Sequence, residues 1–156
     1  MLIYDIPGRG IIEIKQVVFD YNGTLAVDGK LIDGAGELLA ELRKLVDVYI
    51  LTADTYGTVT RECASLGVEV LTFPREKAGE AKKEIVERLG AGQTLCVGNG
   101  FNDIEMCRIA ALSIAVVEKE GCCGRLLSQV DIVAPSMVDA LAIILKPNRV
   151  KATLRN

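Results

Sequence analysis

The stretch Val17-Val18-Phe19-Asp20-Tyr21-Asn22-Gly23-Thr24-Leu25 decides the fold. A run of β-forming residues ends in one carboxylate and a glycine-containing turn follows. That order predicts a buried strand with Asp20 at its carboxyl end, where ligands bind in open α/β sheets. Such a turn also exposes backbone N–H groups, setting a nucleophilic or metal-binding oxygen beside an anion cradle. Taken alone, the stretch equally describes an aspartate that makes a turn before glycine.

Working outward, strand and helix signals alternate with short connections, which predicts βαβ units and a mostly parallel sheet. Residues 1–15 read as a β-hairpin through Pro7-Gly8-Arg9-Gly10, residues 16–146 as the core, and residues 147–156 as a short strand or tail of the same single domain. Core strands are expected at 17–19, 48–51, 68–71, 94–97, 112–117 and 130–133. Helices are expected at 36–44, with Leu38, Leu39, Leu42 and Leu45 on one face, and at 56–66, 80–89, 103–110 and 137–145.

Composition narrows the chemistry. The chain of 156 residues is 50% hydrophobic and 25% charged, with a net charge of −3. This fits a packed domain and argues against a nucleic-acid binder, which would show a basic face. No apolar run approaches the roughly 20 residues needed to span a bilayer, and no signal peptide is evident, so we expect a cytoplasmic protein. The five cysteines include no CxxC pair and there is no histidine. Neither a disulfide framework, a zinc site nor a histidine-activated nucleophile is therefore expected. The adjacent Cys122-Cys123, at an expected helix start, read as packing residues.

Three further strand ends carry polar residues. Thr52 closes Tyr49-Ile50-Leu51-Thr52-Ala53-Asp54, where a hydroxyl and free N–H groups would suit an anion, with Asp54 or Thr55 capping the next helix. Lysines lie at or near the start of Glu80-Ala81-Lys82-Lys83-Glu84-Ile85-Val86-Glu87. Val97-Gly98-Asn99-Gly100-Phe101-Asn102-Asp103 follows a strand, and its glycines allow close backbone approach to a ligand. Asp103 would then face Asp20 across the sheet edge, a hard-oxygen setting of the kind Mg²⁺ prefers.

Together these stretches resemble the motifs of the haloacid dehalogenase (HAD) superfamily, in particular its soluble P-type ATPase-like group. Asp20 to Leu25 is similar to the DxDGT or DxTGT turn, and Gly98 to Asp103 to the GDGxND loop. The resemblance implies a three-layer, doubly wound, HAD-like α/β fold and Mg²⁺-dependent phosphoryl transfer through an aspartyl-phosphate on Asp20. It implies Thr52 and Lys82 as phosphate holders, Lys82 being chosen over Lys77 and Lys83 by the match at Ile85-Val86-Glu87. Gly23, Ala53 and Asn102 take the phosphate-binding positions, while Asp20, Asn22 (through its carbonyl), Asn99 and Asp103 take the metal positions.

Two positions depart from that pattern. Asn22 stands where phosphatases place the general acid/base aspartate, and an amide cannot accept a proton. Since general acid/base help is worth roughly 10²–10⁴-fold, slow turnover is expected. Asn99 replaces a carboxylate ligand, so weak Mg²⁺ binding that tightens with phosphate is expected. Only about 30 residues separate Asp20, Thr52 and Lys82 in turn, filled by a helix or two and a strand, too few for a lid domain. An open site suggests a bulky or macromolecular phosphate ester, or a homo-oligomer whose neighbour closes it. The rival reading is a non-catalytic, phosphate-responsive regulatory module of the same fold. A receiver domain is a lesser rival, because here the acid lies on the first core strand.

Overall fold

A computed structural model describes residues 1–54 and 57–156. The chain opens with a hairpin of β1 (Leu2–Ile6) and β2 (Gly10–Ile14), then enters β3 (Gln16–Asp20), whose five residues are all buried. A second hairpin of β4 (Ala26–Val27) and β5 (Lys30–Leu31) precedes α1 (Ala35–Leu42) and β6 (Asp47–Thr52). Then come α2 (Thr58–Cys63), β7 (Glu69–Thr72), α3 (Ala78–Leu89), β8 (Thr94–Gly98), α4 (Ile104–Ile109) and β9 (Leu112–Val116). The chain closes with α5 (Gly124–Leu127), β10 (Ile132–Ala134), α6 (Met137–Leu145) and α7 (Pro147–Leu154).

Six strands form a parallel sheet in the order β10-β9-β8-β3-β6-β7. The chain runs outward from β3 to β7 and then returns to β8 on the other side of β3. The topological switch point therefore lies between β3 and β8, the place where such sheets open a crevice. β3, β8 and β9 are buried throughout, as strands covered on both faces must be. Alternation along β3 divides the interior in two. Val17 and Phe19 join a core with the first hairpin, α1, α6 and α7, whereas Val18 packs with Phe73, α3, α4 and Leu126 of α5 on the opposite face. This is the three-layer fold expected from the sequence.

Several local expectations need correction. The chain end read as a strand or tail is the helix α7, started by Pro147 in its first turn. Its Val150 and Leu154 are buried, and the Asn156 N–H donates to the Pro7 carbonyl at 3.0 Å. The stretch between Asp20 and Thr52 contains the unexpected β4–β5 hairpin. Asp28 and Gly29 turn it at φ 52° and 80°, the left-handed pair that a two-residue hairpin turn requires. Leu45 is 44% exposed because α1 ends three residues earlier. Among the described residues α2 starts at Thr58 and runs into a tight turn at Ala64–Leu66. The expected helix start at Tyr56, and the capping role offered to Thr55, lie outside the described residues. Among the described residues no helix is long and apolar enough to cross a membrane.

Candidate active site

The β3–β8 crevice collects the polar residues that the sequence scatters over more than eighty positions. Asp20 ends β3 with its side chain only 12% exposed. Its Oδ1 accepts a hydrogen bond from Lys82 Nζ at 2.8 Å, and its Oδ2 accepts from Thr24 Oγ1 at 3.0 Å. Lys82, brought in by the first turns of α3, also donates to Asn102 Oδ1 and Asp103 Oδ1, both at 2.7 Å. All three ammonium protons are thereby used. The Phe73 ring lies 5.6 Å from the same nitrogen. Lys77 and Lys83 take no part. Lys77 is exposed, and Lys83 pairs with Glu87 at 3.9 Å.

Asp103 is fully buried, and its second oxygen accepts from the N–H groups of Asn99 (3.0 Å) and Gly100 (2.9 Å). Gly98 makes this fold-back possible, since a Cβ there would sit 2.4 Å from Asp103 Cγ. Asn99 is held on every side. Its Nδ2 donates to the Gly121 carbonyl at 3.2 Å, its own carbonyl accepts from the Cys123 N–H at 2.7 Å, and its Oδ1 accepts from Thr24 Oγ1 at 3.2 Å. Thr24 and the Gly121–Cys123 segment are participants that the sequence reading passed over. A threonine inside the DxxGT-like turn was the available signal for the first.

Charges in this crevice interact strongly. Burial pushes the Asp20 carboxyl up to about 7, the neighbouring Asp103 pushes the same way, and Lys82 opposes both. Burial also works against the Lys82 ammonium, but Asp103 and Asp20 outweigh it and hold its pKa above the ordinary value. Two carboxylates against one ammonium leave a negative excess at the floor.

Thr52, 3% exposed, accepts from the Asp54 N–H at 3.1 Å, and its hydroxyl proton makes no hydrogen bond among the described residues. Thr52, Ala53, Asn22 and Asn102 line one cleft with Asp20 and Lys82, with a volume of about 500 Å³. Two residues expected to bind phosphate already have hydrogen-bond partners within the chain. The Gly23 N–H is engaged by the Ala26 carbonyl at 2.8 Å. Gly23 also matters sterically: at φ 81° it lets Asn99 approach to where a Cβ would lie 2.4 Å from Nδ2. Asn102 positions Lys82 through its Oδ1.

Does the crevice suit a cation? Among the described residues no group of three or more histidine, cysteine, aspartate or glutamate side chains could hold a metal. Both oxygens of Asp103, expected as a metal ligand, already have N–H or ammonium partners. Yet Asp20 Oδ2 and Asn99 Oδ1 both lie within hydrogen-bond reach of the Thr24 hydroxyl, which carries a single proton. Two converging oxygens share one donor beside a negative excess. A hard cation satisfies that arrangement, so the donor set fits Mg²⁺.

A parallel sheet with a buried acid–lysine–acid cluster at its switch point defines the class as an α/β enzyme fold. The chain belongs to the haloacid dehalogenase-like hydrolases, whose family model matches residues 4–111. It is therefore a hydrolase. The uncharacterized protein MJ0073 of Methanocaldococcus jannaschii is 37% identical over 89 residues, covering 53% of this chain and 96% of that protein. The fold is similar to cobalt-bound deoxy-D-mannose-octulosonate 8-phosphate phosphatase from Haemophilus influenzae, at TM-score 0.71 and 18% identity over 90% of each chain. It is also similar to 3-deoxy-D-manno-octulosonate 8-phosphate phosphatase from Moraxella catarrhalis, solved with magnesium, phosphate and KDO. There the TM-score is 0.70 and the identity 19%, over 89% of this chain and 90% of that one.

Proposed function

We propose that this hydrolase is a divalent-cation-dependent phosphatase whose Asp20 takes the phosphoryl group. The observation that carries the reading is the three-way hydrogen bonding of Lys82 to Asp20, Asn102 and Asp103 at the floor of the cleft. This fixes an acid and a cation side by side where an anion can enter. A carboxylate oxygen of Asp20 attacks phosphorus, the ester P–O bond breaks, and the leaving oxygen departs with its electron pair. Lys82 supplies positive charge beside the phosphoryl oxygens through this change, and the free proton of Thr52 supplies a hydrogen bond. Asp103 keeps Lys82 charged, and Asn102 and the Gly98–Gly100 turn hold both in register. Asp20, Asn99 and the Asn22 carbonyl would hold Mg²⁺. When bound it supplies positive charge against the anionic substrate. Water then attacks the aspartyl-phosphate, releasing phosphate and restoring the Asp20 carboxylate.

Asn22 makes both halves slow. It cannot protonate the leaving oxygen or take a proton from the attacking water, so esters of acidic alcohols, such as aryl phosphates, should be favoured. The test is Mg²⁺-dependent hydrolysis of an aryl phosphate by wild type and Asn22→Asp. Restoring a carboxyl should raise the rate about 10²-fold, the lower end of general acid/base help. A slower Asn22→Asp enzyme would count against this role for position 22.

A cleft of about 500 Å³ suits a small ligand, and the two named neighbours are phosphatases of a small phosphorylated sugar acid. Both observations favour a small phosphate ester over the bulky or macromolecular one expected from the missing lid. Membership of a hydrolase family also weighs against the non-catalytic regulatory reading.

A further inference from the structure

We propose that Arg75 makes this cleft selective for phosphate esters whose leaving group carries a second negative charge, a carboxylate or another phosphate. The inference rests on the phosphatase reading and adds its substrate class. Among the described residues that line the cleft, the cationic side chains are Lys82 and Arg75. They differ in depth and in occupation. Lys82 is 2% exposed and its protons are spent on Asp20, Asn102 and Asp103. Arg75 is exposed and makes no ion pair or side-chain hydrogen bond among the described residues.

The loop that carries Arg75 runs from Phe73 to the start of α3 at Lys77. The Phe73 N–H donates to the Thr52 carbonyl at 3.3 Å, and the Phe73 side chain packs inward against Lys82. Lys77, at the entry to α3, takes φ 56°, a left-handed conformation that residues other than glycine rarely adopt. Between these points Arg75 is exposed where it lines the cleft, at its rim, whereas Phe73 and Lys82 are buried in it. A phosphoryl group held at Asp20 would leave the rest of the ester pointing out past this rim.

A guanidinium keeps its charge at all working pH values, and its planar fork matches carboxylate and phosphate oxygens two at a time. The floor already carries a negative excess and Asp54 adds another acid to the lining; the cationic group of the cleft without an ion pair among the described residues is Arg75, at the rim. That position distinguishes a grip on the leaving group from a grip on the phosphoryl group. If Arg75 held the phosphoryl group, every phosphate ester would depend on it equally.

The test uses the full chain with saturating Mg²⁺ and non-hydrolysable probes, titrated calorimetrically. The probes are 4-phosphonobutanoate, propane-1,3-bisphosphonate and, as a neutral-tailed control, pentylphosphonate. Wild type should bind the two charged-tailed probes roughly tenfold tighter than the control, the ratio equivalent to about 1.4 kcal/mol. Arg75→Ala should bind all three alike, and Arg75→Glu should prefer the control. A wild type without that preference, or an Arg75→Ala protein that weakens all three by one factor, overturns the proposal. Binding is read without turnover. Failure to hydrolyse aryl phosphates would thus strike the phosphatase reading and leave this ratio to stand or fall alone.

Discussion

The same pair of central strands, β3 and β8, carries a buried polar cluster at each end, and the two are built differently. At the amino end, Gln16 Nε2 donates to the Leu89 carbonyl (2.8 Å), the Gly90 carbonyl (3.1 Å) and Thr94 Oγ1 (2.7 Å). Thr94 Oγ1 in turn donates to the Gly90 carbonyl at 2.8 Å. Every group there is neutral, and the cluster closes the turn between α3 and β8. At the carboxyl end the groups are charged, one acid is pushed up to about 7, and two oxygens compete for one hydroxyl proton. A neutral, satisfied cluster holds a structure together. A charged one short of donors is arranged for something that arrives later.

Substitutions at the two ends should separate structure from chemistry. The largest effect is expected from Asp20→Asn, which should lower aryl phosphate turnover by at least about 10³-fold, as loss of a nucleophile does. Its thermal unfolding midpoint should not fall, because the lost charge is one that burial disfavours. Lys82→Met should remove activity and also lower stability by about 3–5 kcal/mol, since the fully buried Asp103 loses its counter-charge. Denaturant unfolding checks this, and an unchanged midpoint would refute the ion-pair account. At the other end, Gln16→Leu should reduce stability by about 1–3 kcal/mol through orphaned carbonyls, with the specific activity of the folded enzyme retained.

The smallest effect is a pH dependence of the metal-free protein. The Asp20 carboxyl stands near 7 in the folded chain against an ordinary 3.8. Between those values the folded state keeps a proton that the unfolded chain has released, so stability should fall as pH rises through that window. The contribution is complete below the lower value and lost above the upper one. On the proposed reading Mg²⁺ would bind the ionised carboxylate, so it should raise the unfolding midpoint more at about pH 8, above the window, than at about pH 5, within it, where the folded Asp20 keeps its proton. An equal Mg²⁺ shift at both values would place the cation elsewhere.

Much of this was legible in the chain. Continuous apolar strands between periodic helices announced a parallel sheet, because burial on both faces demands such runs. The order Asp20, Thr52, Lys82, Asp103 along successive strand and helix ends pointed to one edge of that sheet. The β4–β5 hairpin was also signalled, by Asp28-Gly29, but its strands of two residues each are too short to show alternation. Helix α7 was hidden for another reason. Its composition is mixed, and it is stabilised by docking on the first hairpin through Val150, Leu154 and Asn156.

What the sequence by itself determined was the layer architecture, the family and the residue types available for chemistry, since periodicity and turn composition are local properties. Partners were decided only by the tertiary structure. The Gly23 N–H is bonded to the Ala26 carbonyl, Asp103 spends its oxygens on Lys82 and its own loop, and Arg75 shares a cleft with Asp20. Hydrogen bonds and electrostatic coupling act through space at a few ångströms. Such distances between remote residues exist only once the sheet has brought the loops together.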